Sequence, residues 1–233
     1  EQTEYFKVLY AAIKELYPKV ESEQKSLEHI PTGFLTLTTG KMSSRKGDIL
    51  SGELVLEELE EEARKRISNN DRENDQDTPL ATKIATAAIK YQILRHGVGS
   101  NIVFDNEKAL SFEGASGPYL QYTYARIQSV LAKAEQAGVS ASKEVAPSEA
   151  YAVEKMIERF PSVIASALAE RTPHTVVTYL TELASEFNSF YAQEKIADQT
   201  DKHAPYKAAV ATVVGQTLKQ GLWALGIEAP ERM

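Results

Sequence analysis

Apolar positions along this chain recur mostly every third or fourth residue, the spacing of one helix face. Phe6, Leu9, Tyr10, Ile13, Leu16 and Tyr17 follow this rule before Pro18. From Ser51 to Arg66 the pattern predicts a helix with Leu54, Val55, Leu59 and Ala63 on one face and Glu57, Glu58, Glu61 and Glu62 on the other. Its glutamates come early and Arg64, Lys65 and Arg66 come last, which complements the helix dipole. A polar stretch from Ser68 to Asp77 reads as a surface loop and boundary. Thr78-Pro79 then supplies a cap and a first-turn proline for a helix to about Arg95, closed by Gly97. Val98 to Ser111 reads as irregular or briefly extended. Beyond it, helices are predicted from Ser116 to near Gly138, Ser148 to Phe160, Ser162 to Ala169, Pro173 to about Ile196 and Ala204 to Leu225. Only Gly33 to Thr39 breaks the rule, with Phe34, Leu35 and Leu37 reading as a short strand. The expected fold is mainly α: an antiparallel helical bundle over 78–233, preceded by a small α/β portion over 1–77.

Composition narrows the function classes. The 233 residues carry a net charge of −7, which argues against indiscriminate coating of nucleic acid but leaves room for a local basic stripe. There is no cysteine, hence no disulfide and no thiolate metal site. The four histidines, His29, His96, His174 and His203, lack ligand spacing, so no bound metal is expected. No run approaches the about 18 apolar residues of a membrane span, and no signal peptide opens the chain. The cytoplasm is the expected address, without membrane association.

Two stretches carry chemistry. In Gly40-Lys41-Met42-Ser43-Ser44-Arg45-Lys46-Gly47, three cations and two hydroxyls sit between flanking glycines, after a strand and before a helix. Side-chain cations placed this way suit charge that develops on phosphates during a reaction. His29, in the stretch entering this loop, is a candidate to face the same ligand. The second stretch is Tyr119 to Leu131. At 100° per residue, Leu120, Tyr124, Ile127 and Leu131 face a core, while Tyr119, Tyr122 and Arg126 share a face roughly 130° away. Two phenols beside a guanidinium make a stacking platform for unpaired bases. Taken alone, the same pattern also fits tyrosines packed with their hydroxyls at the bundle rim.

Lys41-Met42-Ser43-Ser44-Arg45-Lys46-Gly47 resembles the second signature of class I aminoacyl-tRNA synthetases in its arginyl variant, and His29-Ile30-Pro31-Thr32-Gly33-Phe34 leads into it as in that family. Glu113 to Tyr122 with Arg126 resembles the family's anticodon-binding domain, and the ending Leu225-Gly226 to Glu231-Arg232-Met233 resembles its tail. The resemblance implies that residues 1–77 are the C-terminal part of a Rossmann-like catalytic domain. Residues 78–233 would be the all-helical anticodon-binding domain. It further implies an arginine–tRNA ligase that uses ATP, with Mg²⁺ accompanying the nucleotide, arginine and tRNA-Arg, working as a monomer. Lys41, Met42 and Arg45, with His29, would bind ATP. Lys41, Arg45 and Lys46 would hold phosphates during catalysis, aided by hydrogen bonds from Ser43 and Ser44. Ser44 stands where the common class I form has a second lysine, so that lysine's role falls to the remaining cations.

Gln2 would lie near the arginine pocket, although a plain helix start fits it equally. Tyr119, Tyr122 and Arg126 would contact the anticodon loop, with Met233 near it and local charge from Lys83, Lys90 and Lys133. Asn188-Ser189-Phe190-Tyr191 matches a family segment expected to be core. No histidine is followed by Gly-His, so the family's first signature is absent. A chain with one ATP loop and not the other is expected to be a C-terminal fragment, inactive alone. The alternatives are a non-catalytic RNA-binding module and a helical protein-interaction module.

Overall fold

A computed structural model describes residues 2–18, 27–37, 52–68 and 77–233. In chain order its elements are α1 (Gln2–Leu16), β1 (Leu35–Leu37), α2 (Gly52–Ser68), α3 (Asp77–Leu94), β2 (Ile102–Phe104) and α4 (Asn106–Ala109). Four long helices follow: α5 (Gly117–Gln136), α6 (Ala152–Glu170), α7 (Pro173–Gln193) and α8 (Ala204–Ala224). The described residues are therefore mainly helical, with one small parallel sheet of two strands.

Helix α3 is the spine that joins two cores. Its Ala87 and Tyr91 enter the larger one, with Leu120 and Ile127 of α5, Val176, Leu180 and Phe187 of α7, and Val214, Leu218 and Leu222 of α8. Its Ala81, Ile84, Ala85 and Ala88 enter the smaller one, with Leu59 and Ala63 of α2, Phe104 of β2 and Leu110. The periodicity places these residues inward, and burial of the larger aliphatic and phenylalanine side chains among them contributes roughly 1.5–3 kcal/mol each.

Local chemistry sets the element ends. Ser116 caps α5, its hydroxyl accepting from the Tyr119 amide at 3.0 Å. Glu154 reaches back to accept from the Tyr151 amide at 2.9 Å, closing the first turn of α6. The sequence predicts two helices divided at Pro161, yet α6 runs through it. Proline removes one intrahelical bond at a cost of about 3 kcal/mol. The apolar stripe outweighs that loss: Val153, Met156, Ile157, Phe160, Val163, Ile164 and Ala167 all lie against the larger core on both sides of the proline.

The stretch expected to be irregular or briefly extended, 98–111, holds a three-residue strand and a helical turn. β2 pairs in parallel with β1 in the register Leu35–Ile102, Thr36–Val103, Leu37–Phe104. The Ile102 amide donates to Phe34 O at 2.8 Å, and the Phe34 amide donates to Asn101 Oδ1 at 2.9 Å. Gly33 lets the two segments meet, because a Cβ there would fall 2.0 Å from Ser100 O.

Candidate functional site

Helix α5 presents its second stripe at the surface beside α7. Tyr124, Leu120 and Ile127 are buried, as their spacing demands, whereas Tyr122 remains 38% exposed and Tyr119 and Arg126 are half-buried. Tyr119, Tyr122 and Arg126 are thus brought together at an open surface rather than in the bundle interior. The Arg126 guanidinium carbon lies 4.8 Å from the Tyr122 ring centroid, a cation–π pair. On another side, Phe112 meets the Tyr122 ring edge-on, with centroids 6.2 Å apart.

The residue that organises this face is one the sequence reading places in the core. Asn188 of α7 is half-buried, and its amide bridges three groups of α5. Its Oδ1 accepts from Arg126 Nη1 at 2.9 Å. Its Nδ2 donates to the Tyr119 hydroxyl at 3.0 Å and to Thr123 Oγ1 at 3.4 Å. One turn on, Tyr191 is 38% exposed and stacks on Phe187, while Phe190 is buried. A polar residue within an otherwise apolar helical stripe was the available signal for Asn188.

The tail is fixed beside this face. Leu225 and Ile227 are buried in the larger core. Gln121, fully buried on α5, donates to Glu228 O at 2.8 Å and to Lys83 O at 3.2 Å. Lys83 pairs with the Glu228 carboxylate at 2.8 Å, and Lys90 donates to Gly226 O. Both lysines, expected to offer charge to a ligand, therefore hold the tail. Met233 packs on the smaller core, as does Phe112.

His29 and Gln2 lie apart from this face. His29 stacks on Phe6 of α1 with centroids 4.1 Å apart and ring planes 15° from parallel. It lines a cleft of about 380 Å³ with Pro31, Val98, Arg171 and His174. Arg171, in the left-handed conformation at φ 56°, bonds through Nη2 to Glu28 Oε2 at 3.0 Å and closes one side. His29 Nε2, Thr172 Oγ1 and His174 Nδ1 have no hydrogen-bond partner among the described residues. Gln2 is exposed at the start of α1. Lys41, Met42, Ser43, Ser44, Arg45 and Lys46 lie outside the described residues. Among the described residues no group of three or more acidic, histidine or cysteine side chains is placed to hold a metal ion. Likewise no described helix is long and apolar enough to cross a membrane.

A buried ion cluster at the α7–α8 corner also escapes sequence reading. The Lys207 side chain, 8% exposed, sits 2.5 Å from Glu194 and 2.6 Å from Asp201. Burial by itself would lower the lysine's pKa, but the hydrogen bonds it donates to the two carboxylates prevail and raise it. The Lys207 ammonium in turn lowers the Asp201 pKa. No spacing rule connects these three residues. They meet only because α8 turns back on the end of α7.

Comparison with known proteins assigns both halves. Residues 1–106 match the catalytic domain of class I tRNA synthetases (R), and residues 120–233 match the DALR anticodon binding domain. An arginine–tRNA ligase of Flavobacterium psychrophilum is 34% identical over 239 residues, covering all of this chain and 39% of the relative. Arginine–tRNA ligase 2 of Bacillus anthracis is 32% identical over 234 residues, again covering all of this chain and 41% of the relative. The chain thus spans about two fifths of the length of these curated relatives. Among solved structures, arginyl-tRNA synthetase from Thermus thermophilus superposes with a TM-score of 0.72 at 29% identity, over 87% of this chain and 35% of that one. The enzyme from Plasmodium falciparum, at 20% identity, shares the fold over the whole chain and 40% of its own length, with a TM-score of 0.76.

Proposed function

The chain belongs to the class I arginyl-tRNA synthetase family, and on that footing we propose that the protein carrying these residues joins arginine to tRNA-Arg at the expense of ATP. The arginine carboxylate attacks the α-phosphorus, the bond to pyrophosphate breaks, and the adenylate then passes its arginyl group to the 3′ end of the tRNA. Lys41, Arg45 and Lys46 stabilise the charge that develops on the phosphates, with hydrogen bonds from Ser43 and Ser44. Met42 and His29 line the nucleotide, Mg²⁺ arrives with it, and Gln2 borders the arginine pocket. We divide the chain into a catalytic part at 1–77 and an anticodon-binding part at 78–233. Helix α3 packs along α5 and α7 on one side and along α2 on the other, so it stands at the seam of the two parts. The protein acts as a cytoplasmic monomer.

Within this reading the bundle seats the anticodon arm on Tyr119, Tyr122 and Arg126, with Met233 at the margin. The observation that carries it is the half-open Tyr122–Arg126 pair, 4.8 Å apart, inside the segment matching the anticodon binding domain. An unpaired base stacked on an aromatic ring gains about 1–3 kcal/mol. Single-stranded loops are where proteins read RNA in this way. Titration of a labelled tRNA-Arg anticodon stem-loop tests it. Arg126→Ala is expected to weaken binding and to flatten its salt dependence, since a phosphate contact is lost with the cation. Equal affinity for wild type and variant, both folded, would remove this face from RNA recognition.

A further inference from the structure

The hydrogen bonds around Asn188 have a direction, and that direction sets what the face can recognise. Arginine cannot accept a hydrogen bond, so the Asn188 atom 2.9 Å from Arg126 Nη1 must be the carbonyl Oδ1. The amide nitrogen therefore faces α5, where it donates to Tyr119 Oη and Thr123 Oγ1. Thr123 agrees with that assignment: its own hydroxyl donates to Tyr119 O at 2.9 Å, which leaves its oxygen free to accept. Tyr119 Oη is thus committed as an acceptor to Asn188. Its hydrogen has no acceptor among the described residues and is left for a ligand. Arg126 uses Nη1 for Asn188, and its remaining N–H groups are donors as well.

We propose that Asn188 is the positioning residue of this face. By fixing the polarity of the Tyr119 hydroxyl and the angle of the Arg126 guanidinium, it leaves the pair offering donors to the ligand. The partner is then an RNA edge that presents acceptors, a base carbonyl or ring nitrogen. This inference rests on the anticodon-arm reading given above and adds a polarity to it. Thr123 and Asn188 act through Tyr119 and Arg126, without themselves touching RNA.

Asn188→Asp tests the polarity with almost no change of shape. Aspartate still accepts from Arg126, but its second oxygen can only accept, so it draws the Tyr119 hydrogen inward and away from the RNA. A double-mutant cycle with Tyr119→Phe separates this from a merely structural effect. With the anticodon stem-loop of tRNA-Arg as probe, Tyr119→Phe is expected to weaken binding by about three- to tenfold in the wild-type background, the worth of one neutral hydrogen bond. In the Asn188→Asp background the same substitution is expected to have no further effect. Thermal unfolding of each variant verifies the fold. Equal losses from Tyr119→Phe in both backgrounds, or no loss in either, would overturn the proposal. If Tyr122→Ala abolishes binding while Tyr119→Phe changes nothing, the polarity inference fails and the anticodon-arm reading survives. A wild-type chain that does not bind the stem-loop overturns both.

Discussion

The face on α5 and the cleft around His29 hold their polar groups in opposite ways. On this face of α5, Asn188 and the backbone satisfy the inward groups of Tyr119, Thr123 and Arg126, and the outward side is open; away from it, Gln121 Oε1 is buried with no partner among the described residues. Around His29, one ring nitrogen each of His29 and His174 and the Thr172 hydroxyl are buried without a hydrogen-bond partner among the described residues, and the closing ion pair of Arg171 and Glu28 is about half exposed. Exposed pairs of that kind contribute about 1 kcal/mol or less. One region is preorganised by its own bundle, while the other is joined by contacts that bend or open at little cost. A face proposed to present rings at fixed angles to a flexible loop is served by the first arrangement. The difference implies that the bundle keeps its binding geometry whether or not the 27–37 segment is seated on it.

The largest test of that contrast attacks the footing of α5. Gly117 lies so close to α3 that a Cβ would fall 2.2 Å from Ala87 O. Gly117→Ala therefore forces the two helices apart. A loss of about 3 kcal/mol in urea unfolding is expected, as for an overpacked core, together with weaker stem-loop binding. Substitutions in the cleft have no such double effect. Removing the stacking ring acts chiefly on binding: Tyr122→Ala is expected to cost about 2 kcal/mol of affinity and to lower the unfolding temperature only modestly, because the residue is 38% exposed and its ring meets Phe112 and Arg126 rather than the larger core.

Acid sharpens the picture at the α7–α8 corner. The Lys207 ammonium lowers the folded-state pKa of Asp201, so its contribution is present above the ordinary value of 3.8 and is lost as pH falls through the lowered one. The stability gap between wild type and Asp201→Asn, followed by urea unfolding at a series of pH values, is expected to be full near neutrality and to close in acid. The smallest effect belongs to the cleft. Arg171→Ala should change stability by about 1 kcal/mol or less, and its stem-loop affinity should equal wild type within error.

The helices were legible because amphipathic periodicity is a local signal. Leu120, Tyr124 and Ile127 fall inward and Tyr122 outward by spacing alone. Pro161 misled for the opposite reason: a local breaker was overruled by a stripe whose value comes from α7, distant in sequence. The brief extension at 102–104 was legible, but not its pairing with β1, which joins positions 67 residues apart, from Leu35 to Ile102. On the site, Tyr119, Tyr122 and Arg126 could be grouped because one helix carries them all. Sequence reading places Asn188 in the core instead, because its bonds to Arg126, Tyr119 and Thr123 exist only once α7 crosses α5. Lys83 and Lys90 looked like free charge until the tail folded back on them.

The Tyr122 ring under Arg126 is the surface proposed to face RNA. Equilibrium binding of the tRNA-Arg anticodon stem-loop to the wild-type chain and to Tyr122→Ala, at one salt concentration, measures this most directly. Saturable wild-type binding is expected, weakened about thirtyfold in the variant with an unchanged far-ultraviolet circular dichroism spectrum. Equal affinities for the two folded proteins would contradict it.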